Sequence, residues 1–500
     1  MQVKTQRDEL ENYLIDASNL PNGHAEKLFV PETREEIAEI LKEANASKIP
    51  VTVSGARTGT VGGAIPFGGW IISLEKFNRI KVINDDYTTV ESGVLLTDLQ
   101  KAVEAKRLFY PPDPTEWSCQ IGGTIATNAS GARSFKYGAT RRYVRRLEIV
   151  TPTGEIINLK RGKIFAENGF VEIETANGAK IKAKMPTYDA PDVRKNASGY
   201  FTSEKPDAID LFIGSEGTLG IVTEIELGLL KKPDSSLSGI VFFKDEKNLL
   251  DFVFEARMIS FETRNQIRNP KSEIRNQIDA TVLEYFDANS LKFIKEKFPE
   301  TPDAMSGAIF FEQETNEENE DARFEAWNDL LEKHNAEIDA SWFTTSEQDL
   351  AKMREFRHAL PVSVNERVVK NKQKKIGTDM AVPDDKFAHF LKFYKSKLKE
   401  SELDYVIFGH IGDNHLHANI LPKNESEAEK ARHLYGRFVA QTIMLGGTIS
   451  AEHGIGKLKA KYLNVQFGER FLNEMAELKR AFDPNGILSR GNMFDQKFLS

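Results

Sequence analysis

The chain contains a single cysteine, Cys119, in 500 residues. One thiol cannot form a disulfide within the chain, and it cannot supply the several thiolates that hold an iron–sulfur cluster. A nucleophilic role for Cys119 stays open. A small buried residue beside Ile121 is the simpler interpretation, because unpaired cysteines usually behave as small hydrophobes.

Long apolar runs are also missing from the sequence. No run approaches the ~20 residues that span a bilayer, so no transmembrane segment is expected. Residues 1–8 lack the apolar core of a secretory signal, and we therefore expect a cytoplasmic protein. The net charge of -8 argues against a nucleic-acid partner. The length favours two or three domains over a single core.

Local patterns predict an α+β protein. Thr33 and Glu36, and again Thr97 and Gln100, have the capping-box spacing that starts a helix. Residues 144–230 are mostly strand-like and contain two Asn-Gly turns, which are typical of hairpins. Strand and helix patterns alternate after that region, so the second half is also expected to be α+β.

A short polar repeat interrupts the second half. Residues 262–267 recur with little change as residues 273–278, on either side of a proline. Because the repeat has no pattern that would form a core, it predicts a surface insertion over 262–278. Its deletion is expected to be tolerated, since loop insertions cost little stability.

Three segments of the first half are rich in glycine and small polar residues: 54–63, 121–133 and 213–222. In such segments the backbone N–H groups can face an anion and the chain can approach a flat ligand closely. Their glycine spacing is not that of a Walker or Rossmann motif. One such loop could be only a turn, but three of them predict a binding site for a pyrophosphate or a planar ring.

Three of the nine histidines fall within residues 410–417. They follow an apolar run, 405–408, that predicts a buried strand, and a Gly-Asp-Asn trio predicts a sharp bend between them. Two of the histidines flank the bend, and Asn419 and Glu452 offer further acceptors nearby in sequence. Imidazole plus carboxylate is a ligand set that suits a divalent transition metal with a position left for substrate. The alternative is a polar turn with incidental histidines.

These motifs carry a resemblance that extends over most of the chain. The chain resembles the FAD-linked D-2-hydroxy-acid dehydrogenases, which include D-lactate dehydrogenase, the catalytic subunit of glycolate oxidase and D-2-hydroxyglutarate dehydrogenase. These enzymes are flavoproteins of the vanillyl-alcohol-oxidase type. The matching segments are 54–66, 111–114, 121–133, 136–141, 213–222, 410–419 and 449–456.

The resemblance implies a fold with a vanillyl-alcohol-oxidase-type FAD-binding domain and a C-terminal α+β substrate domain of the FAD-linked oxidase type. A Lys-Lys-Pro-Asp-Ser-Ser stretch at 231–236 reads as the linker between them. The expected divisions are a lead segment 1–26, an FAD-binding domain 27–232, a substrate (cap) domain 233–445 containing the polar insertion 262–278, and a C-terminal segment 446–500 that returns to the FAD domain.

The resemblance also implies bound FAD. Some relatives attach the flavin through a histidine in the first glycine-rich loop. This loop has no histidine here, and His24 lies well outside it, so we expect non-covalent FAD. The expected FAD-binding residues are Gly55, Ala56, Arg57, Thr58, Gly59, Thr60, Pro112, Asp113, Gly122, Gly123, Ala126, Thr127, Asn128, Ser130, Gly131, Glu216, Gly217, Gly220, Ile221 and Val222.

A divalent metal, with zinc as first choice, is implied at His410, His417 and Glu452. The resemblance makes His453, which follows a ligand directly, the expected catalytic base. Arg354 corresponds to the arginine that binds the substrate carboxylate, a role for which bidentate geometry favours arginine. The alternative for Arg354 is an ordinary arginine on a helix surface.

Two further substrate-binding residues are expected, Lys375 and Asn419. Lys375 lies slightly out of register with the family's lysine, and a solvated basic patch is its alternative. Two segments depart from the family pattern. The usual Asn-Pro-Gly-Lys near the C-terminus is replaced by 489–492 (Ser-Arg-Gly-Asn), and the usual Gly-Asn of the histidine motif is Asn414-His415, which brings an extra imidazole close to the expected metal.

The implied reaction is the FAD-dependent oxidation of a D-2-hydroxy acid, with D-lactate or glycolate as first choice, to the 2-oxo acid. Hydride would pass to flavin N5. Electrons would then leave to a separate acceptor, such as oxygen, a quinone, a cytochrome, an iron–sulfur protein or another electron-transfer protein. The alternatives are a D-2-hydroxyglutarate dehydrogenase, a flavin transferase like alkyl-glycerone-phosphate synthase, and a non-catalytic flavoprotein. A homodimer and a peripheral position at the inner membrane are left open.

The missing histidine in the first glycine-rich loop leads to a direct prediction. The purified protein should be yellow, and acid or heat should release its FAD into the supernatant without proteolysis. Absorbance of the supernatant and of the washed precipitate measures this. Flavin that stays with the denatured polypeptide would contradict the prediction.

Overall fold

A computed structural model describes residues 1–268 and 278–499. In chain order its strands are β1 (Gln2–Lys4), β2 (Lys27–Val30), β3 (Val51–Ser54), β4 (Trp70–Ser73), β5 (Ile80–Ile83), β6 (Tyr87–Glu91), β7 (Leu108–Phe109), β8 (Val144–Val150), β9 (Ile156–Lys160), β10 (Phe170–Glu174), β11 (Lys180–Lys184), β12 (Ile221–Gly228), β13 (Leu230–Lys231), β14 (Ser235–Phe243), β15 (Val282–Asp287), β16 (Gly307–Thr315), β17 (Trp342–Thr344), β18 (Ile376–Gly377), β19 (Met380–Ala381), β20 (Tyr405–Gly409) and β21 (His415–Ile420).

The helices alternate with these strands along the chain. They are α1 (Arg7–Leu10), α2 (Arg34–Ala46), α3 (Leu96–Glu104), α4 (Ile121–Thr127), α5 (Ser134–Tyr137), α6 (Glu246–Arg268), α7 (Ala288–Lys295), α8 (Glu320–Lys333), α9 (Glu347–Asn371), α10 (Phe387–Ser401), α11 (Glu425–Met444) and α12 (Ala460–Phe482). None of the helices that the structure describes is both long and apolar enough to cross a bilayer.

The first half contains two main sheets. One has the order β1-β2-β4-β3, with β4 parallel to both of its neighbours. The other is antiparallel, with the order β5-β6-β12-β8-β9. The glycine-rich segments all adjoin these elements, because the first follows β3, the second contains α4 and the third runs into β12.

The second half is built on one larger sheet with the order β17-β14-β16-β15-β20-β21-β18, and β19 also pairs with β21. The strands expected around residues 239–243, 281–286, 308–312 and 405–408 are found in this sheet as parts of β14, β15, β16 and β20. The fold is therefore an α+β mixture in both halves, as expected. Apolar side chains join the halves, and the rings of Phe135 and Phe261 lie 5.4 Å apart.

Local signals succeeded where short contacts decide the structure. The Thr33 side chain accepts a hydrogen bond from the backbone N–H of Glu36, as the capping-box pattern predicts. An antiparallel hairpin joins β10 and β11 across the Asn177-Gly178 turn. The second capping box is wrong, because α3 already begins at Leu96, one residue before Thr97.

The prediction that residues 262–278 form an insertion with nothing to bury is wrong at both ends of the segment. Residues 262–268 continue α6, where Thr263 is buried and donates a hydrogen bond to the carbonyl of Ile278, which is itself buried. Arg264 donates to the Asp279 carboxylate at 2.6 Å and to the carbonyl of Phe135 at 2.6 Å. Residues 269–277 lie outside the described residues.

The end of the chain returns to the first half. The backbone N–H of Val51 in β3 donates to the carbonyl of Ile487, and the N–H of Ser489 donates to the carbonyl of Val51. Helix α12 packs against β11. The division into a lead segment, two domains and a returning C-terminal segment stays a proposal that these contacts support.

The contacts of Arg264 lead to a prediction about the stability of the protein. Its guanidinium is largely buried and bridges α6 to Asp279 and to α5. Replacing it with alanine leaves Asp279 without this partner, so Arg264→Ala should lower the free energy of unfolding by about 2–4 kcal/mol. Urea unfolding followed by circular dichroism measures this.

Lys247→Ala is the matched control on the same helix. Its ammonium is exposed and pairs with Asp251 one turn away, so no measurable loss of stability is expected. Equal stability of the Arg264 and Lys247 variants would restore the interpretation of 262–268 as a dispensable surface segment.

Candidate functional site

The second and third glycine-rich segments are hydrogen-bonded to each other. The backbone N–H of Gly214 donates to the carbonyl of Ile125 at 2.9 Å, and the N–H of Glu216 donates to the carbonyl of Ala126 at 2.8 Å. Residues that are almost ninety positions apart thus form one backbone surface. The two segments act as a single unit of the site.

The first segment joins this unit through the C-terminal part of the chain. Asn492 donates from Nδ2 to the carbonyls of Gly63 and Glu216, at 3.1 and 3.3 Å. Lys457 donates to the carbonyl of Gly62 and to Oδ1 of Asn492. Residues 489–492, which differ from the family pattern, therefore still contact the first and third segments through Asn492.

The sequence suggested that the second segment is a loop, but part of it is helical. Residues 121–127 form α4, which ends at Asn128 in the left-handed conformation (φ 49°). A Cβ atom added at Gly59 in the first segment or at Gly123 in α4 would meet no described atom within 4 Å. The backbone at these two glycines thus borders open space, as a cradle for a bound ring or pyrophosphate requires.

Some expected FAD-binding residues serve the fold through their side chains. The Glu216 carboxylate accepts hydrogen bonds from the backbone N–H groups of Ile455 and Gly456, each at 2.6 Å. Burial raises the pKa of Glu216 to about 6. Ile221 is buried in the core beside β8. The side chains of these two residues therefore support the fold and are not available to a ligand.

The remaining expected FAD-binding residues line the three segments or the loop after β7. The carbonyl oxygen of Asp113 packs against Gly131, where it leaves no space for a Cβ atom. The partly or fully exposed members of the set are Gly55, Ala56, Arg57, Thr58, Gly59, Thr60, Asp113, Gly122, Gly123, Ala126, Thr127, Asn128, Gly217 and Val222, and the buried ones are Pro112, Ser130, Gly131 and Gly220.

The three expected metal ligands meet at one oxygen atom. Nε2 of His410, which follows β20, lies 3.3 Å from Oε1 of Glu452, and Nε2 of His417 in β21 lies 3.2 Å from the same oxygen. The strand pairing places His417 opposite Phe408, so the short bend between β20 and β21 brings both imidazoles to one point. Gly409 (φ 134°) permits this approach, because its missing Cβ would lie 3.1 Å from the His417 ring.

The second oxygen of Glu452 faces the glycine-rich segments. Oε2 accepts hydrogen bonds from Lys195 Nζ and from Ser130 Oγ, both at 3.1 Å, and Lys195 also donates to the carbonyl of Gly131. Burial would raise the pKa of Glu452, but Lys195 and His410 hold it well below the usual range. The Glu452 carboxylate therefore lies between the candidate metal cluster and the candidate flavin cradle.

Acceptors on the outer side orient the two histidines. Nδ1 of His410 lies 2.5 Å from Oε1 of Glu284, and Oε2 of the same carboxylate pairs with Arg357 at 2.8 Å. Nδ1 of His417 lies 2.9 Å from the carbonyl of Thr378. Burial alone would lower the pKa of His410, but the carboxylates of Glu284 and Glu452 outweigh it and raise this pKa to about 8.

A third histidine belongs to the same cluster. His415 is fully buried, and its ring centroid lies 4.5 Å from that of His417 and 5.6 Å from that of His410. Burial and the neighbouring His417 lower the pKa of His415 to about 3. His410, His415, His417 and Glu452 each offer a ligand atom, and these atoms all lie within 4.8 Å of one another.

His453 lies on the open side of this cluster. Its ring stacks on His417 with the ring planes 10° apart, and its Nδ1 lies 3.6 Å from Oδ2 of Asp379. Its side chain keeps 36% of its exposure. Desolvation by the surrounding protein lowers the pKa of His453 to about 4. The ring is therefore neutral at pH 7 and can accept a proton.

Arg354 borders a cavity of about 260 Å³ that lies between the two halves of the chain. Two of its N–H groups form a bidentate pair with the Glu312 carboxylate at 2.8 and 2.9 Å, which leaves three N–H groups for other partners. Arg357 lines the same cavity and connects it to His410 through Glu284. Arg354 is therefore not an isolated arginine on a helix surface.

The two other expected substrate-binding residues are placed differently. Asn419 is buried in β21, and the alternation of the strand puts it on the same face as His415 and His417. Lys375 is solvent-exposed, yet surrounding protein lowers its pKa by desolvation.

Sequence reasoning missed three residues that hold this site together: Lys195, Glu284 and Asp379. Glu284 gave a usable signal, because it is a charged residue inside the otherwise apolar start of β15. Asp379 and Lys195 gave no signal, since their partners lie 36 to 80 and 64 to 257 residues away along the chain.

Comparisons with known families match both halves of the chain. A family described as "FAD binding domain" matches residues 25–160, and a family described as "FAD linked oxidases, C-terminal domain" matches residues 257–493. The two matched regions contain the first two glycine-rich segments and the whole histidine–carboxylate cluster.

Curated proteins are similar over nearly the full length. D-lactate dehydrogenase of Anaerostipes hadrus is 32% identical over 493 residues, which cover 94% of this chain and 89% of that protein. Glycolate oxidase subunit GlcD of Bacillus subtilis is 30% identical and covers 96% and 92%. D-2-hydroxyglutarate dehydrogenase of Stutzerimonas stutzeri is 28% identical and covers 98% and 96%.

Solved structures share the fold at low identity. A structure of p-cresol methylhydroxylase superposes with a TM-score of 0.70 at 16% identity, covering 99% of this chain and 94% of that one. Alkyldihydroxyacetonephosphate synthase superposes with a TM-score of 0.67 at 14% identity, covering 98% and 83%. These matches and the two domain families confirm the expected vanillyl-alcohol-oxidase-type fold with a C-terminal FAD-linked oxidase domain.

The raised pKa of His410 leads to a prediction about metal binding. An imidazole must lose its proton to bind a metal, so below the pKa of about 8 a proton competes with the ion. The apparent affinity for Zn(II) should therefore fall at least about tenfold for each unit of decreasing pH below this value. Competition with a chromogenic chelator measures the affinity.

Glu284→Gln is the informative variant for this prediction. Glutamine keeps an acceptor near Nδ1 but removes the negative charge that raises the pKa of His410. The pH at which the affinity begins to fall should move downward. An unchanged pH profile would show that His410 does not exchange its proton for the ion.

Proposed function

The chain belongs to the family of FAD-linked oxidases, and we propose that it oxidises a D-2-hydroxy acid to the corresponding 2-oxo acid with bound FAD. The observation that carries this proposal is the position of Glu452. One of its oxygens meets His410 and His417, and the other is held by Ser130 and by Lys195 at the glycine-rich segments. A substrate at the histidines would thus lie against the flavin cradle.

FAD fits the cradle that the three segments form. The backbone at Gly59 and Gly123 borders open space, which leaves room for a ring or a pyrophosphate close to the chain. Bound FAD would supply the acceptor for the hydride that leaves the substrate carbon. We propose that the cofactor is held without a covalent bond, through the exposed residues of these segments.

A divalent metal, for which we propose zinc, fits the cluster of His410, His417 and Glu452. Neutral imidazole nitrogens and a carboxylate oxygen are donors that zinc accepts, and the outer contacts to Glu284 and to the carbonyl of Thr378 fix the ring orientations. The ion would lower the pKa of the substrate hydroxyl as a Lewis acid.

His453 is the proposed base for the hydroxyl proton. Its ring is neutral at pH 7, is partly exposed and stacks directly on His417. Asp379 lies beside its Nδ1 and is held in turn by Lys459 at 2.6 Å and by Ser450 at 2.7 Å. A carboxylate fixed in this way can orient the imidazole and stabilise it after it takes the proton.

Substrate binding is assigned to Arg354, Lys375 and Asn419. The free N–H groups of Arg354 can bind a carboxylate at the cavity, while Asn419 lies on the strand face that carries the histidines. Among the relatives, two names indicate short acids, lactate and glycolate, and one indicates a dicarboxylate. D-lactate or glycolate is the proposed substrate, and D-2-hydroxyglutarate is the second candidate.

Electrons are proposed to leave the flavin to a separate acceptor, since one cysteine cannot hold an iron–sulfur cluster. A homodimer and a cytoplasmic or membrane-peripheral location also stay proposals. A transferase activity has weaker support. Its argument is a likeness of fold at 14% identity, whereas the relatives of about 30% identity carry dehydrogenase or oxidase names.

His417→Ala tests the proposed reaction. The variant removes one donor from the metal cluster, and turnover of D-2-hydroxy acids with an artificial acceptor should fall about 100-fold or more, because metal polarisation supplies several kcal/mol. FAD should stay bound, since the contacts of His417 are with Thr378, Glu452 and neighbouring rings. Activity on a panel of D- and L-acids and the flavin spectrum are the measurements.

His433→Ala is the matched control, because His433 lies on α11 and its side chain is exposed. This variant should keep full turnover. The proposal fails if the His417 variant is fully active, or if the wild type oxidises the L-acids and not the D-acids.

A further inference from the structure

We propose that His415 is a third imidazole ligand of the metal, so that the chain offers the ion three nitrogen atoms and one carboxylate oxygen. The inference rests on the metal site of the proposed function and goes beyond its ligands His410, His417 and Glu452. It depends on the similar placement of the three imidazoles, each of which has an oxygen acceptor near one nitrogen and Glu452 near the other.

Each of the three rings has one nitrogen beside an outer acceptor. For His410 the acceptor is Oε1 of Glu284 at 2.5 Å, and for His417 it is the carbonyl of Thr378 at 2.9 Å. For His415, Nε2 lies 3.1 Å from Oδ1 of Asp379. Metal-binding histidines in proteins usually have such an acceptor behind the ring, which sets the tautomer and the orientation.

The other nitrogen of each ring is directed to Glu452. Nε2 of His410 and Nε2 of His417 lie 3.3 and 3.2 Å from its Oε1, and Nδ1 of His415 lies 4.0 Å from its Oε2. Three nitrogens thus surround one carboxylate. A set of imidazoles around a single point, with a carboxylate among them, is a metal-binding arrangement rather than a hydrogen-bond network.

His415 has no other way to satisfy its inner nitrogen. The residue is fully buried, and within residues 1–268 and 278–499 neither of its ring nitrogens has a hydrogen-bond partner of acceptable geometry. A neutral imidazole has one lone pair, and leaving it unpaired in the interior is unfavourable because the nitrogen has lost its bond to water. A bound ion would satisfy it.

The backbone explains why His415 points to the cluster. His415 and His417 occupy alternate positions of β21 and therefore lie on the same face of the strand. Asn414 adopts the left-handed conformation (φ 54°) at the end of the preceding turn, and the strand starts directly after it. The bend between His410 and His415 therefore brings both side chains to the cluster.

His453 has a similar pair of neighbours, with its nitrogens 3.6 Å from Asp379 and 3.8 Å from Glu452, but its side chain is 36% exposed. Water can therefore satisfy its lone pair, which is not possible for the fully buried His415. The nitrogen-rich set of three imidazoles favours zinc, cobalt, nickel or copper over magnesium and calcium, which prefer oxygen ligands.

The experiment compares metal binding by the wild type and by His415→Asn, each as the full FAD-loaded chain. Zn(II) affinity is measured by competition with a chromogenic chelator, and the visible spectrum of the Co(II)-loaded protein is recorded. His415→Asn should weaken Zn(II) binding by about tenfold or more and change the Co(II) bands. His433→Asn, an exposed histidine, should change neither. Unchanged affinity and spectrum in His415→Asn would overturn the inference.

A measurement on the wild type keeps the test decisive if His415→Asn does not fold. In Cd(II)-loaded protein with isotopically labelled histidine, scalar couplings in the NMR spectrum count the rings bound to the ion. Three coupled rings support the inference. Two coupled rings overturn it and leave the proposed metal site intact, whereas no binding of Cd(II), Co(II) or Zn(II) overturns the metal site and this inference together.

Discussion

The candidate site depends on the contacts of one buried group, the Glu452 carboxylate. Its Oε1 meets Nε2 of His410 and His417, and its Oε2 is held by Lys195 and Ser130. Since Ser130 belongs to the second glycine-rich segment, one side chain connects the cradle of the first half to the sheet of the second half. The site therefore exists only when three distant parts of the chain are folded together.

Burying this carboxylate requires compensation, because an uncompensated charge in the interior costs several kcal/mol. The structure provides it in layers. Arg357 pairs with Glu284 behind His410, Lys459 pairs with Asp379 behind His415, and Lys195 pairs with Glu452 itself. Each buried carboxylate of the cluster has a cation on one side and imidazoles on the other. The same layers that make burial tolerable also fix the orientation of the rings, which a metal site requires.

Contacts around the cluster couple the candidate metal site to the candidate flavin site. The histidine motif and the glycine-rich segments are far apart in sequence. In the structure, Lys195 bonds to both Gly131 and Glu452, and Ser134 beside the cradle bonds to Asp413 of the histidine motif. His417 itself has no such contact with the cradle among the described residues, whereas Glu452 does.

The sequence by itself determined what short-range chemistry decides: the α+β pattern, the Thr33 cap, the turn before β11, the glycine-rich segments and the identity of the histidine motif. These depend on residues within a few positions of one another. Only the tertiary structure decided that residues 262–268 continue α6, that Glu216 clamps the C-terminal segment, and that Lys195 and Asp379 support the cluster. Their partners lie far along the chain, and no local pattern encodes a contact between segments that meet only when the core closes.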